Sequence, residues 1–215
     1  MASRGRTMGE LAQLVSGRVV GDGGVKVEDV SHDSRLVAPG TMYVALVGSN
    51  VDGHDFVGDA VGNGATTICV ERDTASGVPE LVVADTREIL GELSAAVYGY
   101  PSHAMDVIGV TGTNGKTTVT HYIDSIGRRA GLLTGLVGTI RTRIAGEEVA
   151  ASMTTPEASE FQRLLADMRD AGVSLVAAEV SSHALEFGRV KATRFSVAAF
   201  TNLSQDHLDF HGDMT

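Results

Sequence analysis

Residues Val107 to Ile123 read VIGVTGTNGKTTVTHYI. β-Branched residues crowd the stretch between Asp106 and Gly112, which predicts a strand over 106–111. After Gly115, the segment KTTVTHYIDSIGRRAG predicts a helix over 116–130 that closes at Gly131, with Val119, Tyr122, Ile123 and Ile126 on one face. A strand that passes through a glycine turn into a helix is the geometry of a phosphate-binding loop. Backbone N–H groups at the helix N-terminus point at an anion, and the helix dipole favours negative charge there. Gly112 and Gly115 let the backbone approach phosphate closely. Lys116 can reach the β- and γ-phosphates, and the Thr117 hydroxyl can coordinate Mg2+.

The loop departs from the general pattern, which puts four residues between its first glycine and the Gly-Lys pair. Counting back from Gly115 places Val110 there, whereas the available glycines are Gly109 and Gly112. The competing reading is a glycine-rich turn with an exposed lysine. Gly-Lys-Thr-Thr at a strand-to-helix junction favours the variant phosphate loop, and ATP or GTP with Mg2+ is the expected ligand.

The chain has 215 residues, 43% of them hydrophobic, enough for a core and one or two domains. A net charge of −10 argues against a nucleic-acid or anionic-membrane surface. The single cysteine, Cys69, lies in the apolar run TTICVE; it excludes an internal disulfide and reads as core. No apolar run approaches the ~18 residues of a membrane span. The N-terminus lacks the apolar core of a signal peptide and instead offers Thr7 and Glu10 in capping-box spacing. A cytoplasmic protein is expected.

The fold class is α/β. A small N-terminal α/β unit spans 1–104, with a helix at 8–16, strands near 25–30, 42–48, 66–71 and 80–85, and helices at 55–63 and 86–97. YGYPSHAMD reads as a linker. A second unit over 105–215 alternates strands near 106–111, 174–180 and 195–201 with helices at 116–130 and 156–171, which predicts a mostly parallel, doubly wound sheet. For the last helix, Thr155 is the expected N-cap, Pro156 opens the first turn and Gly172 ends it. The chain stops at Thr215 where a further helix is expected, so the second unit is read as incomplete.

Two more segments carry chemistry. SLVAAEVSSHAL delivers Glu179 near the C-terminal end of a buried strand, where ligands sit in open α/β sheets. Beside a phosphate loop such a carboxylate serves Mg2+; the alternative is a salt-bridged or solvated strand end. Ser181, Ser182 and His183 lack the G-x-S-x-G elbow of a hydrolase. TNLSQDHLDFHG gathers Asp206, His207, Asp209 and His211, which can bind metal or form a polar loop. In the first unit Ser34 and Arg35 suit a phosphate, although ordinary turn chemistry also accounts for this region and for GSNVDGHD.

Four separated segments resemble the Mur ligases, which build the peptide stem of peptidoglycan: TGTNGKTT, AEVSSHAL, TNLSQDHLDFHG, and DSRLVAPGTMYVALVG with DGHDF. The first is shared with the wider family, including folylpolyglutamate synthetases. The N-terminal pattern is similar to the branch that adds the third residue, meso-diaminopimelate or L-lysine, to UDP-N-acetylmuramoyl-L-alanyl-D-glutamate. The resemblance implies that Gly112, Thr113, Asn114, Gly115, Lys116, Thr117 and Thr118 bind ATP. It implies Mg2+ on Thr117 and Glu179, with His207 helping to hold a second Mg2+, and catalytic roles for Lys116, Glu179 and His207. Ser34 and the Ser49, Asn50, Val51 loop would hold the uridine nucleotide. Thr154, Thr155, Ser181 and Arg189 would contact the muramoyl-dipeptide. Met153 departs from relatives that carry asparagine there.

The implied chemistry is phosphorylation of the terminal carboxylate of D-glutamate by ATP, followed by attack of an amine on the acyl phosphate. Expected partners are small-molecule substrates, with neither nucleic acid nor membrane, and a monomer is expected. Family members carry a C-terminal amino-acid-binding domain and a carbamylated lysine after DHLDFHG; both are expected to lie beyond Thr215, leaving these 215 residues inactive alone. The alternatives are a sister Mur ligase, a folylpolyglutamate synthetase, which lacks the DSR unit, or a nucleotide-binding module without catalysis.

Overall fold

The structure, a computed structural model, describes residues 4–48, 50–149, 153–206 and 212–213. The chain divides into two compact units. The first runs to Pro101 and also takes Glu157–Ala166 and Gly188–Thr193; the second holds Ser102–Pro156, Asp167–Phe187 and the chain from Arg194 onward.

In the first unit the elements follow as β1 (Arg6–Thr7), α1 (Met8–Leu14), β2 (Arg18–Val20), β3 (Lys26–Val27), β4 (Asp29–Ser31), β5 (Thr41–Val44), α2 (Val57–Gly62), β6 (Thr67–Val70), β7 (Glu80–Val82) and α3 (Thr86–Val97). The capping box read from Thr7 and Glu10 is present on α1. A five-stranded sheet has the order β2-β7-β6-β5-β4, parallel except for β2. Both faces are covered, as parallel strands require. Met42, Val44 and Cys69 pack with Met8, Leu11, Leu90, Leu93 and Val97 on one face. Tyr43, Ile68 and Val70 pack with Val57 and Ala60 on the other. Cys69 is therefore core, and burial pushes its thiol well above the ordinary range.

The second unit is built on β8 (Asp106–Thr111), α4 (Lys116–Arg129), β9 (Thr134–Val137), β10 (Thr142–Ile144), β11 (Glu147–Val149), the end of α5 (Ala158–Asp170), β12 (Leu175–Glu179), α6 (Ser182–Glu186) and β13 (Val197–Phe200). Its sheet order is β11-β10-β9-β12-β8-β13. The strands β9, β12, β8 and β13 are parallel, and β10 and β11 form an antiparallel edge that the sequence did not predict. The chain leaves β8 for β9 on one side and later returns past β8 to β13 on the other. That reversal makes the C-terminal end of β8 the topological switch point, where open α/β sheets bind ligands.

Two local expectations are corrected. The face of α4 that meets the sheet is not the apolar one: Thr120, Asp124 and Gly127 are buried, whereas Tyr122 and Ile126 are 65% and 68% exposed. Asp124 explains the choice. Its carboxylate accepts from Thr134 Oγ1 at 2.6 Å, from Arg128 Nε at 3.1 Å and from Arg143. Burial raises its pKa, but these donors outweigh burial and hold the carboxyl below its ordinary value. A helix is thus pinned to the sheet by a satisfied carboxylate instead of an apolar stripe. The second correction concerns Thr155. α5 starts at Ala158, and the Thr155 hydroxyl instead donates to Glu179 O at 2.8 Å and accepts from Ser181 N–H at 3.1 Å.

Candidate functional site

The segment between β8 and α4 turns on two glycines with positive φ, Gly112 at 127° and Gly115 at 88°. A Cβ on Gly112 would collide with Thr201 Oγ1 and the Asn202 backbone, so this position needs glycine on two counts. Gly115 is the N-cap of α4, and Val119 N–H makes the helix's first bond to its carbonyl. The amides of residues 115–118 therefore have no acceptor within the helix.

The segment Thr201–Ser204 after β13 braces this loop. Thr113 N–H donates to Asn202 O at 2.9 Å, and Asn114 N–H to Asn202 Oδ1 at 3.2 Å. Asn202 Nδ2 and Thr201 Oγ1 both donate to Asn114 O, at 2.9 and 2.6 Å. Ser204 N–H donates to Thr113 Oγ1 at 2.9 Å. The loop's outer amides are thus occupied, and its anion-facing surface is the first turn of α4. The sequence flagged TNLSQDHLDFHG only for its later acidic and histidine residues; Thr201, Asn202 and Ser204 were missed because their contacts lie about ninety residues away in the chain.

Lys116 folds over the loop, donating from Nζ to Gly112 O at 2.6 Å and Thr113 O at 3.0 Å. Thr117 Oγ1 donates to Glu179 Oε2 at 2.9 Å, while Thr118 is exposed. Glu179 ends β12 and is 1% exposed. Its other donors are the Thr139 backbone N–H, at 3.1 Å from Oε1, and the Thr139 hydroxyl, at 3.0 Å from Oε2. Among the described residues, all the groups hydrogen-bonded to this buried carboxylate are neutral. A carboxylate withdrawn from water without a cation is costly. Glu179 and the Thr117 hydroxyl are the oxygen donors here that could hold a hard divalent cation such as Mg2+, which would offset that cost. No group of three or more His, Cys, Asp or Glu gathers among the described residues.

Thr154 and Thr155 join this site: Thr154 Oγ1 lies 3.0 Å from Thr139 Oγ1, and Thr155 links Glu179 O to Ser181 N–H. Ser181 Oγ accepts from Ala184 N–H and caps α6. His207 lies outside the described residues, as does Ser49.

The remaining candidates belong to the first unit. Ser34 follows β4 and Asn50–Val51 follow β5; the two strands are parallel neighbours, so both segments lie beyond their C-terminal ends. Ser34 is buried, and its carbonyl accepts from Asn63 Nδ2 at 3.0 Å. Arg35 forms a bidentate pair with Asp33, at 2.9 and 2.7 Å, and holds that carboxyl down at about 2. Asn50 and Val51 are exposed beside a rigid base. There His54 Nδ1 meets Asp52 Oδ1 at 2.6 Å, and Nε2 accepts from Glu71 N–H at 2.9 Å. Arg189 Nε donates to Glu157 Oε1 at 2.6 Å within this unit, and Glu157 also meets Arg87 at 3.4 Å.

Among the described residues no helix is long and apolar enough to cross a membrane. The Mur ligase family catalytic domain is recognised over residues 26–98 and the Mur ligase middle domain over 110–215. The UDP-N-acetylmuramoyl-L-alanyl-D-glutamate–2,6-diaminopimelate ligase of Geobacillus thermodenitrificans is 50% identical over 182 residues, covering 85% of this chain and 37% of that protein. The ligase of the same name from Streptomyces coelicolor is 45% identical, covering 96% and 42%. A solved structure titled as such a ligase superposes with a TM-score of 0.76 at 28% identity, covering 97% of this chain and 42% of the other. The chain thus spans about two fifths of the length of the curated relatives it matches. With the phosphate loop at the switch point of the second unit and both domains recognised in order, this chain belongs to the Mur ligase family.

Proposed function

We infer that the chain is the substrate- and nucleotide-binding part of an ATP-dependent ligase that adds the third amino acid to UDP-N-acetylmuramoyl-L-alanyl-D-glutamate in peptidoglycan synthesis. The observation that carries this reading is the buried Glu179 carboxylate bonded to the first-turn threonine of a glycine-flanked helix N-terminus. Residues 112–118 hold ATP, with phosphate on the first-turn amides of α4 and the Lys116 ammonium against it. Thr117 and Glu179 would hold Mg2+, which supplies charge neutralisation on the transferring phosphoryl group. His207 is carried from the family resemblance as a ligand of a second ion.

Transfer of the γ-phosphoryl group to the terminal carboxylate of D-glutamate releases ADP. Attack of an amine on the resulting acyl phosphate forms the amide and releases phosphate. Lys116 exchanges its two carbonyl acceptors for phosphate oxygens, gaining charge-assisted bonds where negative charge concentrates. Thr154, Thr155 and Ser181 adjoin Glu179 and bind the dipeptide end. Arg189 is carried from the family resemblance as a further dipeptide contact. Ser34, Asn50 and Val51, beyond the C-terminal ends of β4 and β5, hold the uridine nucleotide, with Ser49 carried from the family resemblance. A cytoplasmic, monomeric enzyme fits this use of soluble substrates.

The test is ligand-induced thermal stabilisation with MgATP and with the UDP-muramoyl-dipeptide. Lys116→Ala should weaken MgATP binding about ten- to a hundred-fold, the ~1.5–3 kcal/mol of hydrogen bonds to a charged group, and leave the UDP-dipeptide unaffected. Ser34→Ala should weaken the UDP-dipeptide about two- to ten-fold and spare ATP. Parallel losses of both ligands in either variant would reject two separate sites.

A further inference from the structure

We propose that Thr139 is a positioning residue of the nucleotide–metal site, fixing both oxygens of Glu179 and linking that carboxylate to Thr154. The proposal rests on the reading of Glu179 as the magnesium carboxylate. Thr139 lies just after β9, in a segment that sequence reasoning did not single out. Its backbone N–H reaches Glu179 Oε1 at 3.1 Å and its hydroxyl reaches Oε2 at 3.0 Å, so one residue grips both ends of the carboxylate. The approach depends on the preceding Gly138, where a Cβ would collide with Glu179 Oε1.

Proton counting sets the direction of the Thr139–Glu179 bond. A carboxylate only accepts, so the single Thr139 hydroxyl proton goes to Glu179. The Thr139 hydroxyl also lies 3.0 Å from the Thr154 hydroxyl. Thr139 thus touches both Thr154 and Glu179, and Thr117 donates into the same Oε2 from the phosphate loop. The Thr117 hydroxyl could offer a lone pair to a cation while its proton stays on Glu179, and the two Thr139 contacts would hold the carboxylate plane from the other side.

Groups that orient a metal ligand typically change metal affinity ten- to a hundred-fold when removed. The experiment measures stabilisation of the full chain by ATP as Mg2+ is titrated. Thr139→Val, which keeps shape and loses the hydroxyl, should raise the half-maximal Mg2+ concentration at least ten-fold. Thr139→Ser, which restores the hydroxyl, should return it to within about three-fold of wild type. An unchanged Mg2+ midpoint in Thr139→Val, or a serine variant as impaired as the valine one, overturns the proposal. Should Thr139→Val fail to fold, Thr139→Ala carries the same comparison. If the wild-type chain binds no ATP at any Mg2+ concentration, the nucleotide reading itself falls. If it binds and responds to Lys116→Ala but not to Thr139→Val, only the role of Thr139 falls.

Discussion

Gly112 and Gly115 show how differently two glycines of one loop are constrained. Both have positive φ, where an L side chain costs about 1–2 kcal/mol. At Gly115 nothing lies closer than 3.9 Å to an added Cβ, so Gly115→Ala should cost only that backbone term. At Gly112 the same atom runs into Thr201 and lies 2.8 Å from Asn202 O. Overpacking adds about 1–3 kcal/mol, so Gly112→Ala should destabilise by roughly 2–5 kcal/mol in total. It should also loosen the Asn202 brace. Urea unfolding of the two variants checks the order; equal losses would mean that the brace does not press on the loop.

At the scale of elements, α4 is the telling case. Gly127 faces the sheet, where a Cβ would sit 2.7 Å from Leu175 Cδ2 and 2.9 Å from Thr134 Cγ2. Alanine within a helix is normally favoured over glycine by about 0.5–1 kcal/mol. Here Thr134 cannot turn aside, because its hydroxyl is tied to Asp124 at 2.6 Å. The overpacking cost of about 1–3 kcal/mol wins, and Gly127→Ala should be net destabilising by about 1 kcal/mol. A more stable variant in thermal unfolding would show that α4 sits farther from the sheet. The same helix marks what the sequence could and could not reveal. Its bounds were legible from the Gly-Lys-Thr-Thr start and the glycine stop at Gly131, which has a φ of 82°. Its buried face was not, because an Asp124 satisfied by Thr134 and Arg143 outcompeted the apolar positions, and such partners are invisible to periodicity. Thr155 misled for a similar reason: a threonine before proline suits an N-cap, yet its hydroxyl bonds Glu179 O on a neighbouring strand. The short β10 and β11 carry weak alternation, and their pairing is decided by tertiary contact. The strand–loop–helix around Lys116 and Thr117 was legible because a phosphate loop is written in consecutive residues, and the strand end at Glu179 because an apolar run precedes it. Thr139 and Asn202 were not, because each acts through one long-range contact set.

At the scale of the whole molecule, the account assigns the two ligands to different units of one chain: ATP with Mg2+ to the second, the uridine nucleotide to the first. Each assignment places a ligand at the C-terminal ends of parallel strands, the end toward which such sheets direct their loops. The measurement that bears most directly on this is amide hydrogen exchange, read peptide by peptide, with each ligand added separately. Slower exchange reports backbone groups that a ligand orders or covers. MgATP should protect peptides spanning 111–120 and leave those spanning 31–36 and 48–56 at their free rates. The UDP-muramoyl-dipeptide should protect the latter two, together with peptides holding Thr154, Thr155 and Ser181, and leave 111–120 at its free rate. Protection of 111–120 by the UDP-muramoyl-dipeptide alone, protection of 31–36 or 48–56 by MgATP alone, or no protection at 111–120 with saturating MgATP, would contradict the account.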